Sequence, residues 1–226
     1  MCLQCVDKIR CRKCNSGNVV RNGKSRIQQQ RYLCMNCKCS FQVQYKYQSY
    51  ITDDSQIILL TKEGCGIRST SRILSVSVNT VLRRITKIAR NIKRPFPVFK
   101  GKAYEVDEIF TYVKYKENRI CIAYSFEVGS GNVIDFVVGR RNKTNLRKVT
   151  DTLILSDALK ITTDKLNIYK ELIPHEMHST KFKGINRIER NNLNLRTHLK
   201  RLNRKTICYS KSLAVLTAVV KIYFWS

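Results

Sequence analysis

Two Cys-x-x-Cys pairs near the start of the chain constrain its fold more than any other feature of the sequence. The first pair is Cys11 and Cys14, the second is Cys34 and Cys37, and 19 residues lie between them. This spacing is typical of a structural zinc ribbon, in which each pair contributes two thiolates to one tetrahedral Zn²⁺. Because so short a segment buries little apolar surface, we expect it to need the ion to fold. The sequence therefore predicts a zinc ribbon over residues 1–45.

The remaining thiols near these pairs are expected not to bind metal. Cys2, Cys5 and Cys39 are additional to the four ligands that one ribbon needs.

Between the two pairs, residues 18–24 and 29–33 are expected to form strands around an Asn-Gly turn. The open alternative is that buried or redox-active cysteines have this spacing by chance.

Residues 46–92 are predicted to form a helix-turn-helix DNA-binding domain. Three helical segments are expected, and in the third the apolar residues after Ser77 recur at helical spacing. In a helix-turn-helix, polar residues near the N-terminus of the last helix face base edges in the major groove. The alternative is a plain three-helix bundle with a solvated basic face. We predict that four residues of the third helix contact DNA: Asn79, Thr80, Arg83 and Arg84.

A linker is predicted at residues 93–101, where two of the chain's three prolines lie. Beyond it, in residues 102–226, the period of apolar residues changes from that of helices to that of strands. A helix with Thr144 as N-cap is expected after the third strand. Four strands are predicted, at residues 103–113, 119–128, 133–139 and 160–164.

Three carboxylates lie where they can share a metal site. Asp107 is in the first predicted strand of this region, Asp164 ends the fourth, and Glu189 is in a late helix. Carboxylate oxygens suit Mg²⁺, and two such ions can activate an oxygen nucleophile and stabilise a leaving oxygen in phosphodiester cleavage. Glu108 should point away from Asp107, because side chains alternate along a strand. The alternative for each acid is a surface ion pair.

The charge of the chain indicates its partner. Forty-three Lys and Arg against 16 Asp and Glu give a formal net charge of +27, which opposes compaction unless a polyanion neutralises it. Nucleic acid is the expected partner. An anionic membrane is the rival, but no apolar run is long enough to span a bilayer and no signal-peptide pattern is present. Ten cysteines, four of them with metal-ligand spacing, favour a reducing cytoplasmic compartment over a disulfide scaffold.

The helix around Glu189 is amphipathic and basic. Its apolar positions, which include Ile188 and Leu195, are predicted to face the core, and Arg196 and Lys200 are predicted to share the face of Glu189. The alternative is a solvated charged face. His175 and His178 precede this helix and are candidates for positioning phosphate or water. The following cations are predicted to contact DNA phosphates: Arg190, Arg196, Lys200, Arg201, Arg204 and Lys205.

Three strands, a helix, a strand and further helices, with acids at these places, is the order found in ribonuclease H-like nucleases. The chain resembles bacterial insertion sequence 1 transposases over nearly its whole length. The resemblance is carried by the ribbon with Gln30-Arg31-Tyr32, by Val106-Asp107-Glu108 and Thr163-Asp164, and most diagnostically by residues 188–193 and 200–212. Cys39-Ser40 departs from it, because a basic residue and a threonine are expected there.

The resemblance implies an α/β protein with a ribonuclease H-like catalytic domain and a mixed sheet, preceded by a zinc ribbon and a helix-turn-helix. It implies a DDE-type transposase that binds the ends of an insertion sequence and uses Mg²⁺ or Mn²⁺ for strand cleavage and transfer. Asp107, Asp164 and Glu189 would be its acidic triad. The expected partner is double-stranded DNA, at the element ends and at the target, bound by a homo-oligomer associated with the bacterial nucleoid.

Two other functions stay open at this point. A non-catalytic regulator would bind DNA through the ribbon and the helix-turn-helix, and its acids would be inert. A ribonuclease H-like nuclease would cut nucleic acid without joining strands. A nicking assay with Mg²⁺ distinguishes the first from a transposase, and detection of joined product distinguishes the second.

Overall fold

The computed structural model describes residues 9–43, 53–95, 100–180, 186–203 and 205–226. Cys2, Cys5 and Arg204, which the sequence singled out, lie outside these residues. The chain divides into two units, Met1–Ile51 and Thr52–Ser226. Each unit is described by itself below.

The first unit is built on a three-stranded antiparallel sheet. Its strands are β1 (Val19–Lys24), β2 (Gln30–Cys34) and β3 (Ser40–Phe41), in that order. The expected Asn-Gly turn is wrong, because Gly23 lies inside β1, where its φ of +62° accompanies an irregularity in the strand pairing. The chain reverses after Lys24 instead. The only fully buried apolar residues in the described part of this unit are Cys11, Cys34 and Phe41, a core that is too small to hold a fold alone.

The second unit begins with the three predicted helices. They are α1 (Asp54–Lys62), α2 (Ile67–Ile73) and α3 (Val78–Asn91). Ser77 caps α3, because its hydroxyl oxygen accepts a hydrogen bond from the backbone N–H of Thr80 at 3.1 Å. Gly64 joins α1 to α2 with a φ of +74°, and a Cβ built on it would lie 1.9 Å from the carbonyl oxygen of His198. Only glycine fits this turn.

A five-stranded mixed sheet forms the centre of the second unit. Its strands are β4 (Ala103–Tyr112), β5 (Arg119–Glu127), β6 (Val133–Gly139), β7 (Lys160–Thr162) and β8 (His178–Ser179). The spatial order is β6-β5-β4-β7-β8, in which β4, β5 and β6 are antiparallel and β7 and β8 run parallel to β4. The four predicted strands are confirmed. The two-residue β8 was not predicted, because it is too short to show a period.

Four helices cover the two faces of this sheet. They are α4 (Lys143–Leu155), α5 (Asn167–Leu172), α6 (Asn186–His198) and α7 (Leu213–Trp225). The predicted N-cap Thr144 is wrong, because α4 starts earlier and the side-chain oxygen of Asn142 accepts from the backbone N–H of Asn145 at 2.8 Å. Among the helices in the described part of the chain, none is long and apolar enough to cross a bilayer.

Two hydrophobic clusters lie on opposite faces of the sheet. One contains Tyr104 and Val106 of β4 and is covered by α4 and α5. The other contains Ile109 of β4, is covered by α6 and α7, and extends to Ile57 of α1 and Val81 of α3. The helices α1 and α3 therefore share a core with the sheet, through α7. The boundaries of the helix-turn-helix and the linker stay predictions.

The helix that begins near Glu189 is shorter than its sequence period indicated. Leu199 has φ −99° and ψ 83°, so α6 ends at His198 and a 3₁₀-helix, Lys200–Leu202, follows. The prediction that Lys200 continues the helical face of Glu189 is therefore wrong. The apolar side chains nevertheless stay buried across the break, because the 3₁₀ turn directs Leu202 into the same core as Ile188.

Candidate active site

Strand β4 carries three acids at the centre of the sheet, and they face two ways. Glu105 and Asp107 point towards α6: Glu105 accepts a hydrogen bond from the backbone N–H of Ile188 at 2.8 Å, and Asp107 accepts one from the amide of Asn192. Glu108 points to the other face, where the hydroxyl of Tyr169 donates to it at 2.8 Å. The predicted alternation of Asp107 and Glu108 is confirmed.

Both oxygens of Asp107 are held by donors. Oδ1 accepts from the backbone N–H of Glu108 at 2.7 Å, and Oδ2 accepts from Nδ2 of Asn192. Asn192 is itself fixed, because its Oδ1 accepts from the hydroxyl of Tyr124 at 2.7 Å. Tyr124 lies directly opposite Asp107 in β5. The carboxylate therefore has one defined orientation.

The surroundings of Asp107 and Glu108 on β4 disfavour the charged forms of these acids. Burial raises the pKa of Asp107, and the negative charges of Asp164 and Glu189 raise it further. Burial also raises the pKa of Glu108, and the negative charges of Asp164 and Asp107 raise it further. Asp164 and Glu189 thus both lie close enough to Asp107 to raise its pKa, and a divalent cation beside Asp107 would reverse this effect.

Asp164 is positioned by the parallel pairing of β7 with β4. It lies two residues after the end of β7 and is half-buried, and its Oδ1 accepts from the backbone N–H of Leu166 at 3.1 Å. The neighbouring Thr163 is fully buried, and its hydroxyl lies 2.8 Å from Nε2 of His178 in β8. Of the two predicted histidines, His178 therefore supports the chain beside Asp164.

Glu189 lies in the first turn of α6 and is exposed. Within the described residues, only the four cysteines bring three or more ligand atoms within 4.8 Å of one another, so the three acids are less tightly grouped. Two bridged Mg²⁺ ions lie about 3.5–4 Å apart and keep several water ligands, so their carboxylates surround a wider space than the ligands of one zinc ion. Asp107, Asp164 and Glu189 supply carboxylate oxygens, the kind of ligand that Mg²⁺ prefers.

The basic residues around α6 differ in accessibility. Arg190, Lys200 and Lys205 are exposed. Arg196 is half-buried, and its Nε has no hydrogen-bond partner among the described residues. Arg201 contacts the hydroxyl of Ser210 at 3.2 Å, and burial lowers its pKa. The exposed cations are free to meet phosphates, whereas Arg201 makes an internal contact.

The four predicted DNA contacts on α3 also fall into two groups. Asn79 and Arg83 are exposed. The hydroxyl of Thr80 lies 2.9 Å from that of the serine that caps the helix, and Arg84 forms an ion pair with Asp54 of α1 at 2.8 Å. Asn79 and Arg83 are therefore the two of these side chains that face solvent.

The four predicted zinc ligands meet in the first unit. Their sulfur atoms all lie within 4.8 Å of one another, and Cys11–Cys37 and Cys14–Cys34 are both 3.5 Å apart. Sulfurs bound to one tetrahedral Zn²⁺ at about 2.3 Å lie about 3.8 Å from each other, so this set fits the ion. Cys39 instead directs its thiol to the carbonyl of Ser40 at 3.8 Å.

The two Cys-x-x-Cys pairs have the same internal hydrogen bonding. The backbone N–H of Cys14 donates to the sulfur of Cys11 and lowers its pKa to about 6. The backbone N–H of Cys37 does the same for Cys34 and lowers its pKa. The pKa values of Cys14 and Cys37 are raised instead, since their sulfurs lie against those of the other cysteines, and a bound Zn²⁺ would hold all four as thiolates.

The sheet order, the flanking helices and the acids on β4, after β7 and on α6 define a ribonuclease H-like α/β protein preceded by a zinc ribbon. Residues 102–225 match the family model described as IS1 transposase, and residues 6–38 match that of the InsA N-terminal domain. The first match covers more than half of the chain, and the chain therefore belongs to the IS1 transposase family.

A relative from Shigella dysenteriae supports this assignment. The chain is 34% identical over 116 residues to the insertion element iso-IS1n protein InsB of Shigella dysenteriae, a match covering 51% of this chain and 88% of the relative. The integrase catalytic core of HTLV-2 in complex with magnesium aligns with TM-score 0.36 and 16% identity, covering 56% of this chain and 84% of that one.

A simian T-cell lymphotropic virus intasome in complex with the PP2A regulatory subunit B56 gamma aligns with TM-score 0.32 and 14% identity, covering 74% of this chain and 65% of that one. Both TM-scores are below 0.5. The fold assignment therefore rests on the strand order and the family match.

Sequence reasoning missed the residues that support the acids. Glu105, Tyr124 and Asn192 were not singled out, although two signals were present. Glu105 precedes Asp107 by two positions and so shares its strand face. Asn192 follows Glu189 by three positions and so lies near it on the helix. Tyr124 had no such signal, because cross-strand register determines its position.

Proposed function

We propose that this chain is a DDE-type transposase that binds the ends of an insertion sequence and catalyses metal-dependent DNA strand cleavage and strand transfer. The observation that supports this most is that three acids from different elements come together: Asp164 after β7 and Glu189 of α6 both lie close enough to Asp107 of β4 to raise its pKa. A buried carboxylate whose pKa is raised by burial and by neighbouring acids is typical of a functional site.

In this proposal the three acids would hold Mg²⁺ or Mn²⁺. When bound, two such ions stabilise both the attacking and the leaving oxygen of an in-line phosphoryl transfer. The residues of the chain orient this centre: the N–H of Glu108 and the amide of Asn192 fix the carboxylate of Asp107. Exposed Arg190, Lys200 and Lys205 would contact the DNA phosphates.

The other predicted elements have a role in DNA recognition in this proposal. The four cysteines would hold Zn²⁺ and so fold the ribbon. Asn79 and Arg83 would read bases at the element ends, because they are exposed near the start of α3. Double-stranded DNA in the bacterial nucleoid would be the substrate, and the protein would act on it as a homo-oligomer.

The test is a reaction of the full chain with supercoiled donor DNA and Mg²⁺. Asp107→Asn, Asp164→Asn and Glu189→Gln should each lose nicked and joined products while they keep DNA binding. Asp151→Asn and Glu117→Gln are matched controls, because both residues are exposed acids on other elements, α4 and the turn between β4 and β5, and they should keep activity.

Each alternative function has its own outcome in this experiment. A wild-type protein that binds the DNA without nicking it would be a regulator, and the proposal would be wrong. Nicking without joined product would identify a nuclease. Equal activity in all three variants would show that these acids are not the catalytic groups.

A further inference from the structure

Strand β4 and helix α6 are connected at two points that lie on either side of Glu189. The first is the hydrogen bond from the backbone N–H of Ile188 to Glu105, at 2.8 Å. The second is the hydrogen bond from Asn192 to Asp107. In the sequence of α6, Glu189 comes one residue after Ile188 and three residues before Asn192. The position of its backbone relative to Asp107 is thus set from both sides.

The first connection uses the N-terminus of α6. Glu105 is only 3% exposed, and its carboxylate meets one of the backbone N–H groups that a helix leaves unpaired in its first turn. An acid at this end of a helix is favourable because it complements the helix dipole. The carboxylate of Glu105 therefore has a local partner at the start of α6, although burial raises its pKa.

The second connection has a fixed polarity. Tyr124 is fully buried, and its hydroxyl lies 2.7 Å from Oδ1 of Asn192 and 3.3 Å from the carbonyl oxygen of Ile188. Because the hydroxyl donates to the amide oxygen, the amide NH₂ of Asn192 must face Asp107. Rotation of the amide would place its oxygen against the carboxylate of Asp107, so that two acceptors would oppose each other.

We propose that Tyr124, Asn192 and Glu105 are positioning residues for the acidic centre. Tyr124 and Asn192 hold the carboxylate of Asp107 in its metal-binding orientation, and Glu105 holds the start of α6 and thereby Glu189. The proposal rests on the proposed function, because it assigns these residues to the acids of that site. Groups that orient metal ligands typically contribute 10–100-fold to metal affinity.

The experiment measures Mn²⁺ affinity of the zinc-loaded full chain by titration calorimetry, without DNA. Asn192→Ala should weaken binding by about 10–100-fold. Tyr124→Phe should weaken it by a smaller factor, because the ring keeps its contact with Phe224 and only the hydroxyl is lost. Exposed Asn194 of α6 and buried Tyr104 on the other sheet face supply the controls Asn194→Ala and Tyr104→Phe, which should bind as wild type.

Glu105 is tested by a conservative pair of variants. Glu105→Gln keeps an oxygen that can accept from the N–H of Ile188 and should retain most of the wild-type affinity. Glu105→Ala removes the acceptor and should weaken Mn²⁺ binding. If Glu105→Gln loses as much affinity as Asp107→Asn, Glu105 is a metal ligand and its positioning role is wrong.

Thermal melting of every variant without Mn²⁺ separates positioning from packing. Reduced stability with unchanged Mn²⁺ affinity in Asn192→Ala and Tyr124→Phe would show a packing role and overturn the proposal. If wild type and Asp107→Asn bind Mn²⁺ equally, the proposed function itself fails at its metal centre. If Asp107→Asn loses Mn²⁺ affinity while Asn192→Ala binds as wild type, the positioning role of Asn192 is wrong and the proposed function stands.

Discussion

The cysteines of the ribbon and the acids of the sheet are both predicted metal sites, but they are assembled in different ways. The four sulfurs lie within 4.8 Å of one another, and their grouping follows from two short local motifs. The acids come from β4, the end of β7 and α6, and they are more widely spaced. A closed tetrahedral zinc site contributes to folding, whereas an open magnesium site leaves room for water and substrate oxygens. Local spacing is therefore sufficient to predict the first kind of site and insufficient for the second.

The largest expected effect is the loss of the ribbon fold when its zinc ligands are removed. Cys14→Ser together with Cys37→Ser should abolish zinc binding, which contributes about 10–16 kcal/mol in small zinc domains. Metal analysis and NMR spectra of residues 9–43 would measure this loss. Cys39→Ser is the control and should keep one zinc per chain, because its thiol lies outside the cluster. A folded, metal-free ribbon would remove the contrast between the two sites.

The acids should behave as one unit in catalysis. Asp164→Asn alone should lower the cleavage rate by about 10³-fold or more, and a double variant with Glu189→Gln should be hardly slower, because groups that act together are not additive. Single-turnover rates on donor DNA would measure both. If the two losses multiply, the acids act independently and do not share a centre.

The raised pKa of Asp107 gives the acidic site a pH dependence. A carboxyl group whose pKa is higher in the folded state destabilises the fold as the pH rises through that pKa. Bound Mg²⁺ removes this cost, so the rise in melting temperature that it causes should become smaller as the pH is lowered through that pKa, because protons then compete for the same oxygens. Glu189→Gln should reduce the Mg²⁺ effect. An Mg²⁺ effect that does not change with pH would argue against binding at Asp107.

A smaller contrast separates two adjacent arginines of α3. Arg83 is exposed, and an arginine that is bidentate to guanine contributes about 1–3 kcal/mol of discrimination. Arg84 is paired with Asp54, and loss of such a partly exposed ion pair costs about 0.2–1 kcal/mol of stability. Arg83→Ala should therefore weaken binding to element ends more than binding to random duplexes, measured at one salt concentration. For Arg84→Ala, this difference between the two duplexes should be smaller. Equal losses on both duplexes would show that α3 does not read sequence.

The sequence predicted the parts of the fold that depend on local pattern. The strands β4 to β7 and the helices α1 to α3 follow from apolar periods and capping residues such as Ser77. The end of α6 did not follow, because Leu199 keeps the helical spacing of apolar residues while its backbone leaves the helix. The bulge at Gly23 was misread for a similar reason, since Asn-Gly favours both turns and irregular strand pairing.

The candidate site was predictable only in part. Asp107, Asp164 and Glu189 were named through the order of elements and the family resemblance, and their roles remain a proposal. The groups around them depend on tertiary register: Tyr124 meets Asn192 only because β5 pairs with β4 and α6 packs across both strands. No spacing along the chain contains that information.

The proposed function requires that Asp107, Asp164 and Glu189 form one divalent-metal centre. Anomalous scattering from crystals of the zinc-loaded protein soaked with Mn²⁺ would locate that centre. We expect Mn²⁺ peaks at about 2.0–2.2 Å, close to the Mg²⁺ coordination distance, from carboxylate oxygens of all three residues. Mn²⁺ bound through Glu105 or Glu108 instead, with Asp164 and Glu189 away from the metal, would contradict it.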